Sequence, residues 1–263
     1  MSAAVQSTVE KAVEVLFHLH AEPAAQGVTA IGRALGLPKS SAHRLLAALG
    51  RRGLVERDER GRYRTGIGLV ALGLGVLERE PVVVAARPVL EEEAERLGET
   101  VFLVVARAGR IRVLDKAEGT GFLRAAPRVG AEVPVHATAV GKLFLAFAEE
   151  PIPALPERLE AYTSKTRTHR RDLAAEVARA RRRGFALNRD EWIPGLSVVA
   201  APVIANARMA AAVAVALPSA RLQALGAERV ARRTVAAAER VAARLEGRSL
   251  AGRKEGSPEA RTA

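Results

Sequence analysis

The stretch from Val28 to Leu49, VTAIGRALGLPKSSAHRLLAAL, constrains the fold more tightly than any other part of the chain, because it spells two short helices joined by a tight turn. In the second helix Ala42, Leu45, Leu46 and Leu49 fall at i, i+3, i+4 and i+7, so that face packs inward and leaves Lys39, Ser40, His43 and Arg44 outside. The outward set is cationic and rich in hydrogen-bonding groups, the chemistry that a phosphate backbone and base edges demand. Each joint has a residue suited to it: Thr29 to cap the first helix, Gly36 for the positive φ of the corner, and Pro38 for the opening turn of the second helix. The same pattern occurs in all-α proteins that have no nucleic-acid partner, so the segments that follow decide its meaning.

Directly after it come Gly50-Arg51-Arg52-Gly53, the alternating run Leu54-Val55-Glu56-Arg57, the loop Asp58-Glu59-Arg60-Gly61 and then Arg62-Tyr63-Arg64. Two short strand-like runs around a Gly-containing loop make a hairpin, and its flanking arginines can reach a phosphate backbone. A helix pair followed by such a hairpin is a winged helix-turn-helix. Upstream, Ser7 to Glu10 has the spacing of a capping box and stands ahead of Val9, Ala12, Val13, Leu16 and Phe17, which gives the module its first helix. The predicted DNA-binding domain therefore spans residues 5–65.

At 263 residues with 49% apolar content, the chain has room for this small domain and a second of ordinary size. No apolar run approaches the roughly 18 to 20 residues that span a bilayer, and the N-terminal residues lack the layout of a signal peptide, so no membrane association and a cytoplasmic location are expected. The sequence holds no cysteine, which excludes disulfides, thiolate metal sites and thiol nucleophiles. Its five histidines are scattered: His18 and His20 face different ways on a helix, and His43, His136 and His169 stand alone. Neither a metal nor another cofactor is expected from such a set. A formal net charge of +12 favours polyanionic partners through counterion release. That charge is not confined to the helix pair. A dense cluster of Arg167, Arg170, Arg171, Arg179, Arg181, Arg182 and Arg183 lies far downstream and reads as a solvated helix face rather than a DNA contact.

Gly66 to Glu80, GIGLVALGLGVLERE, is apolar, spotted with glycine and stopped by Pro81; residues 66–81 read as a linker helix whose small residues admit a partner helix, in a dimer or within the chain. Val84 to Leu97 resumes a helical pattern, with the acidic run Glu91 to Glu93 and Gly98 as its end signal. Thr100 to Arg107 and Arg110 to Ala117, joined by Ala108-Gly109, form a β-hairpin, with another strand expected at Phe122 to Ala125. Pro134 to Phe147 reads as a loop leading into a helix whose first turn holds Thr138, Ala139, Val140 and Gly141. Small residues there leave backbone N–H groups open to an anionic or polar ligand. A helix at Arg171 to Arg183, strands at Gly184 to Asn188, Ser197 to Ile204 and Met209 to Leu217, and a long helix at Leu222 to Leu245 follow. The second domain, residues 82–246, is thus α+β, an antiparallel sheet flanked by helices, and residues 247–263 are polar enough for a disordered tail.

In this order the segments resemble one known family. GLPKSSAHRLLAAL with GLVERDERGRYRTG, then RPVLEEEAERLGETVFL, DKAEGTGFLR, HATAVGKLFLAF and ARRRGFALNRDEWIPGLSVVAAPV are similar to stretches of the IclR family of bacterial transcriptional regulators, from about Val9 to Leu217. The resemblance implies a winged-helix domain that binds double-stranded DNA at near-palindromic operators, assembly as a homodimer or dimer of dimers, and a GAF-like domain for a small-molecule effector. It places the second helix of the pair in the major groove, which carries over to Lys39, Ser40, Ser41, His43 and Arg44, with Thr29 counted among the DNA-binding residues and wing residues Arg60 and Arg62 on phosphates. Where relatives that bind small carboxylates offer an Asp, a Cys and two Ser, this chain has Asn188, Val198, Ala214 and Ala216. Together with Ala139, Val140 and Gly141 these are the expected effector contacts. A charged metabolite would be buried there without matched partners, so the pocket is expected to take an apolar or aromatic ligand, or to be plain core without one.

Two other functions fit parts of the sequence. Ser197, Thr138, His136, Asp190 and Glu191 offer an acid, a base and a nucleophile, but no nucleophile elbow, phosphate-binding loop or metal set accompanies them, so an enzyme is not expected. An architectural protein that binds DNA without sequence preference would use the basicity, yet it has no need of a sizeable second domain with a pocket. The expected function is a sequence-specific regulator, with repression as its default sign.

Overall fold

The computed structural model describes residues 7–22, 24–121, 128–147, 149 and 155–255, and the chain divides into two units between Glu78 and Arg79. In the first, α1 (Thr8–Ala21) opens on the capping box its sequence predicts: Ser7 Oγ accepts from Glu10 N at 3.2 Å, and Glu10 Oε2 accepts from Ser7 N at 2.6 Å. The helix pair is α2 (Val28–Ala34) and α3 (Lys39–Gly50), with Gly36 at φ 63° in the corner. A short hairpin follows, β1 (Val55–Arg57) and β2 (Tyr63–Thr65), paired antiparallel. Val15 and Leu19, Ile31, and Leu45, Leu46 and Leu49 close on Val55 and Tyr63, so three helices and the wing share one core.

One expectation fails in this unit. Thr29 does not cap α2; the helix starts from Gly27 with no side-chain cap. Reciprocal backbone bonds between Gln26 and Tyr63, at 2.8 and 2.7 Å, hold the chain so that the Gly27 carbonyl accepts the first helical bond, from Ile31 N. Of the apolar residues expected on α1, Ala12 and Leu16 pack on the core, whereas Val9, Val13 and Phe17 stay exposed. Next comes α4 (Ile67–Arg79), tied down by Ile67 N donating to Glu56 Oε1 and Gly68 N to the Gly53 carbonyl, both at 2.9 Å. It is apolar along its length, yet none of its residues is buried.

The second unit begins with α5 (Pro81–Leu97), three residues before the expected Val84, because Pro81 suits a first helical position as well as it ends the helix before. Five strands, β3 (Thr100–Arg107), β4 (Arg110–Ala117), β5 (Ala186–Arg189), β6 (Leu196–Ala205) and β7 (Arg208–Pro218), form one antiparallel sheet in the order β4-β3-β7-β6-β5. Both tight hairpins turn on two consecutive residues with positive φ, Ala108-Gly109 and Asn206-Ala207, which matches the right-handed twist of the strands they join. Between β4 and β5 lie α6 (Ala139–Phe147) and α7 (Arg170–Arg183), and after β7 come α8 (Ser219–Leu225) and α9 (Ala227–Glu255).

Strand alternation sorts the layers. Phe102, Val104, Ala200, Ala212, Ala214 and Ala216 share a core with Val140, Leu143 and Phe144 of α6. The intervening residues of β7, Val213, Val215 and Leu217, point to the opposite face, and α5 and α9 pack against the sheet. The acidic run of α5 finds partners on α9: Arg233 reaches Glu93 at 2.8 Å, and Arg240 bridges Glu92 and Glu93. The helix expected from Leu222 is in fact two, because Gly226 at φ 82° breaks it after Leu225. α9 then runs to Glu255, through the first part of the tail expected at 247–263, since Ser249 to Glu255 keeps enough Leu, Ala, Arg, Lys and Glu to stay helical. Residues 256–263, and the strand expected at Phe122 to Ala125, lie outside the described residues. No described helix is long and apolar enough to cross a membrane.

Candidate functional site

Burial of Ala42, Leu45, Leu46 and Leu49 sets the rotation of α3 and leaves Lys39, Ser40, His43 and Arg44 exposed, with Ser41 half-buried beside them. Pro38 precedes the helix and supplies no side-chain cap, so the first-turn N–H groups are free of a capping hydroxyl or carboxylate. No acidic residue stands in that turn. An uncapped N-terminus flanked by Lys39 and Arg44 is a ready anion site. The corner is tight enough to need a small residue that sequence reasoning missed: a Cβ on Gly32 would sit 2.9 Å from the Leu37 carbonyl oxygen, which accepts no such crowding. Thr29 is exposed in the first turn of α2.

In the wing, Asp58 takes both the backbone N–H of Arg62 at 2.8 Å and its Nε at 2.9 Å. Those bonds hold the Asp58 carboxyl below its usual range, the backbone bond most of all. Arg62 therefore braces the wing turn as well as facing solvent. Arg60, at the tip, is exposed and has no carboxylate partner among the described residues. Glu56 likewise lies below its usual range, first through the Ile67 N–H and then through Arg64, and this pins the wing to the start of α4.

On the second unit, three of the expected effector residues meet in one cavity. Val140, Asn188 and Val198 line it with Phe102, Thr138 and Trp192, while Ala139, Gly141, Ala214 and Ala216 are not in its wall. Ala139, Ala214 and Ala216 belong to the core behind it. The enclosed space is about 20 Å³, room for one water. The Asn188 and Thr138 side chains in it are already engaged. Asn188 Nδ2 donates to the Ala137 carbonyl, and Asn188 Oδ1 accepts from Glu191 N at 3.2 Å. Thr138 Oγ1 donates to the Pro134 carbonyl at 2.6 Å and accepts from Gly141 N at 3.1 Å. The helix start that sequence left open at Gly141 is thus closed by its own threonine, a correction with a steric companion: a Cβ on Gly141 would fall 1.9 Å from the Val135 carbonyl oxygen.

The residues that the sequence offers for a catalytic set do not converge. His136 bonds the Glu160 carbonyl at 2.8 Å and stacks on Tyr162; Ser197 bonds Ser219, which donates to Asp190. Glu191 binds Lys142, whose Nζ lies 2.6 and 2.8 Å from the two carboxylate oxygens and whose side chain is 1% exposed. Sequence reasoning passed over this pair. The signal was there, since a lysine in the middle of the apolar run AVGKLFLAF can be buried only beside a carboxylate.

Comparison with known proteins now decides the identity. The IclR helix-turn-helix profile matches residues 8–59, and the profile of the bacterial transcriptional regulator IclR C-terminal region matches residues 74–243. The chain belongs to the IclR family of bacterial transcriptional regulators. Among its relatives, the HTH-type transcriptional regulator XynR of Escherichia coli is 32% identical over 74% of this chain and 79% of its own length. The transcriptional repressor IclR of Escherichia coli is 30% identical over 74% of each chain. A crystal structure of an IclR transcriptional regulator from Alicyclobacillus acidocaldarius superposes with a TM-score of 0.81 at 28% identity, covering 91% of this chain and 99% of that one. In this IclR-family chain the first profile covers α1 through β1, and the second covers α5 and the sheet domain, so the exposed face of α3 and the apolar cavity fall in separate family regions.

Proposed function

We propose that this protein is a sequence-specific DNA-binding regulator, a repressor by default, whose second unit binds a small effector that alters its hold on a near-palindromic operator. The observation that carries this reading is the uncovered cationic face of α3. Lys39, Ser40, Ser41, His43 and Arg44 enter the major groove, Arg44 with the fork that suits guanine, and Thr29 and Arg60 take phosphates. Arg62 offers phosphate whatever guanidinium nitrogens its bond to Asp58 leaves over.

Symmetry of the operator calls for two copies of the chain. Two apolar faces of the first unit support a homodimer: Val9, Val13 and Phe17 on α1, and α4, where Leu72 and Val76 are 61% and 65% exposed. A helix that is apolar all round belongs in an interior. Gly73 and Gly75 have open space beside them, which leaves room for a second helix to approach. Two such dimers can pair into a tetramer.

The effector is apolar or aromatic. Val140, Val198, Phe102 and Trp192 stand in the cavity wall, and Asn188 and Thr138 spend their hydrogen bonds on the protein itself, so neither of these two side chains has a donor free for a short carboxylate. Ala139, Gly141, Ala214 and Ala216 back the wall rather than touch the ligand until it parts. The protein works in the cytoplasm and is not an enzyme. Selection of duplexes from a random pool on the full-length chain tests the reading. It should enrich an inverted repeat whose half-sites lie about one helical turn apart, roughly 10 base pairs. A pool that stays random would turn the account toward the architectural alternative.

A further inference from the structure

Part of the arginine cluster that the DNA reading leaves aside lines a cleft on the second unit. Arg167 from the loop before α7, Arg179 and Arg183 from α7 and Arg189 from β5 surround about 570 Å³ together with Lys142 and Lys165. Against these six cations the cleft holds two carboxylates, Glu176 and Glu191. Both are committed, Glu191 to Lys142 and Glu176 to Arg179 at 2.9 Å. Lys165 has Asp190 at 2.6 Å, and Arg183 has Glu228. Arg167 and Arg189 are exposed to the cleft with no carboxylate partner among the described residues. A concave surface with low-dielectric walls focuses the field of its charges, and two unpaired planar forks beside one cavity match an anion with several oxygens.

We propose that this cleft is a second ligand site, for a small multivalent oxyanion of the polyphosphate or polycarboxylate class, held by Arg167 and Arg189. The site is distinct from the apolar cavity but is built on the same elements. α6 gives Val140 to the cavity and Lys142 to the cleft, and β5 with the turn after it divides likewise, Asn188 to the cavity and Glu191 to the cleft. An anion seated against the Lys142–Glu191 pair would press on the same helix and turn that shape the effector cavity.

Isothermal titration of the full-length chain with inorganic tripolyphosphate, and separately with citrate, at constant ionic strength tests this. Saturable binding of one or both should weaken about ten-fold or more in an Arg167→Gln/Arg189→Gln variant, as loss of two charge-assisted contacts requires. Binding should persist in Lys39→Gln/Arg44→Gln, which strips the DNA-facing helix, and in Arg171→Gln/Arg232→Gln, which removes equal charge elsewhere on the second unit. Arg167→Gln alone, in a loop, gives the same reading should the double variant lose its fold. Absence of binding by either anion overturns the proposal, as does equal weakening in all three double variants or loss confined to Lys39→Gln/Arg44→Gln.

Discussion

At Asp190 a single side chain joins three segments. It sits at φ 57°, accepts from Lys165 Nζ at 2.6 Å and from the Ser219 hydroxyl, and so ties the end of β5 to the loop before α7 and to α8. The Lys165 ammonium above all, then Ser219, holds its carboxyl below the usual range. A depressed carboxylate stabilises the fold above its unfolded value and loses that contribution as pH falls through the folded one. Asp190→Asn tolerates the left-handed backbone, so it should melt lower than the parent at neutral pH, with the gap closing below about pH 4. A gap that is constant with pH would place the effect outside the charge. Gly141→Ala is harsher, since the new methyl meets the Val135 carbonyl oxygen, and neither side of that contact is a flexible side chain. It should cost about 3 kcal/mol or more in urea melts. Gly36 was legible in sequence because a turn demands positive φ, whereas Gly141 and Gly32 were not. Their smallness answers to a carbonyl brought close by tertiary packing, which no local pattern announces.

Among elements, those with a strong period or turn chemistry were readable from the sequence: α1 with its capping box, α3 with its i, i+3, i+4, i+7 face, and the hairpins at Ala108-Gly109 and Asn206-Ala207. The misplaced boundaries have non-local causes. Thr29 lost its capping role to the bridge between Gln26 and Tyr63, 37 residues apart along the chain and invisible to propensity. The acidic run of α5 and the arginines of α9 were read separately as charge, yet they are one contact. Glu93 is buried, and two guanidiniums converge on it. Glu93→Ala should cost about 2 kcal/mol by chemical denaturation, less than a fully buried pair because Arg233 and Arg240 remain partly in water. An unchanged midpoint would mean that α5 and α9 are held by their apolar faces alone.

For the whole molecule, the two-unit plan and the family were legible in the sequence, but not how full the apolar cavity of the second unit is. Val198, Ala214 and Ala216 predicted an apolar wall, yet only Val198 of the three lines the cavity, and only packing reveals that Val140, Trp192 and Phe102 help close it to about 20 Å³. Assembly is the next test at this scale. Phe17→Glu/Leu72→Glu should shift the sedimenting species to a monomer while circular dichroism stays that of the parent, because both side chains are exposed in the single chain. A dimer that survives both charges would remove α1 and α4 from the interface. The central claim is that α3 reads base edges through Arg44, and it is tested most directly by titrating the selected operator and a scrambled duplex of equal length at one salt concentration. Arg44→Lys keeps the charge and loses the fork, so it should weaken operator binding by about 1 to 3 kcal/mol and leave the scrambled duplex unchanged. Operator affinity equal to that of the parent would contradict the account.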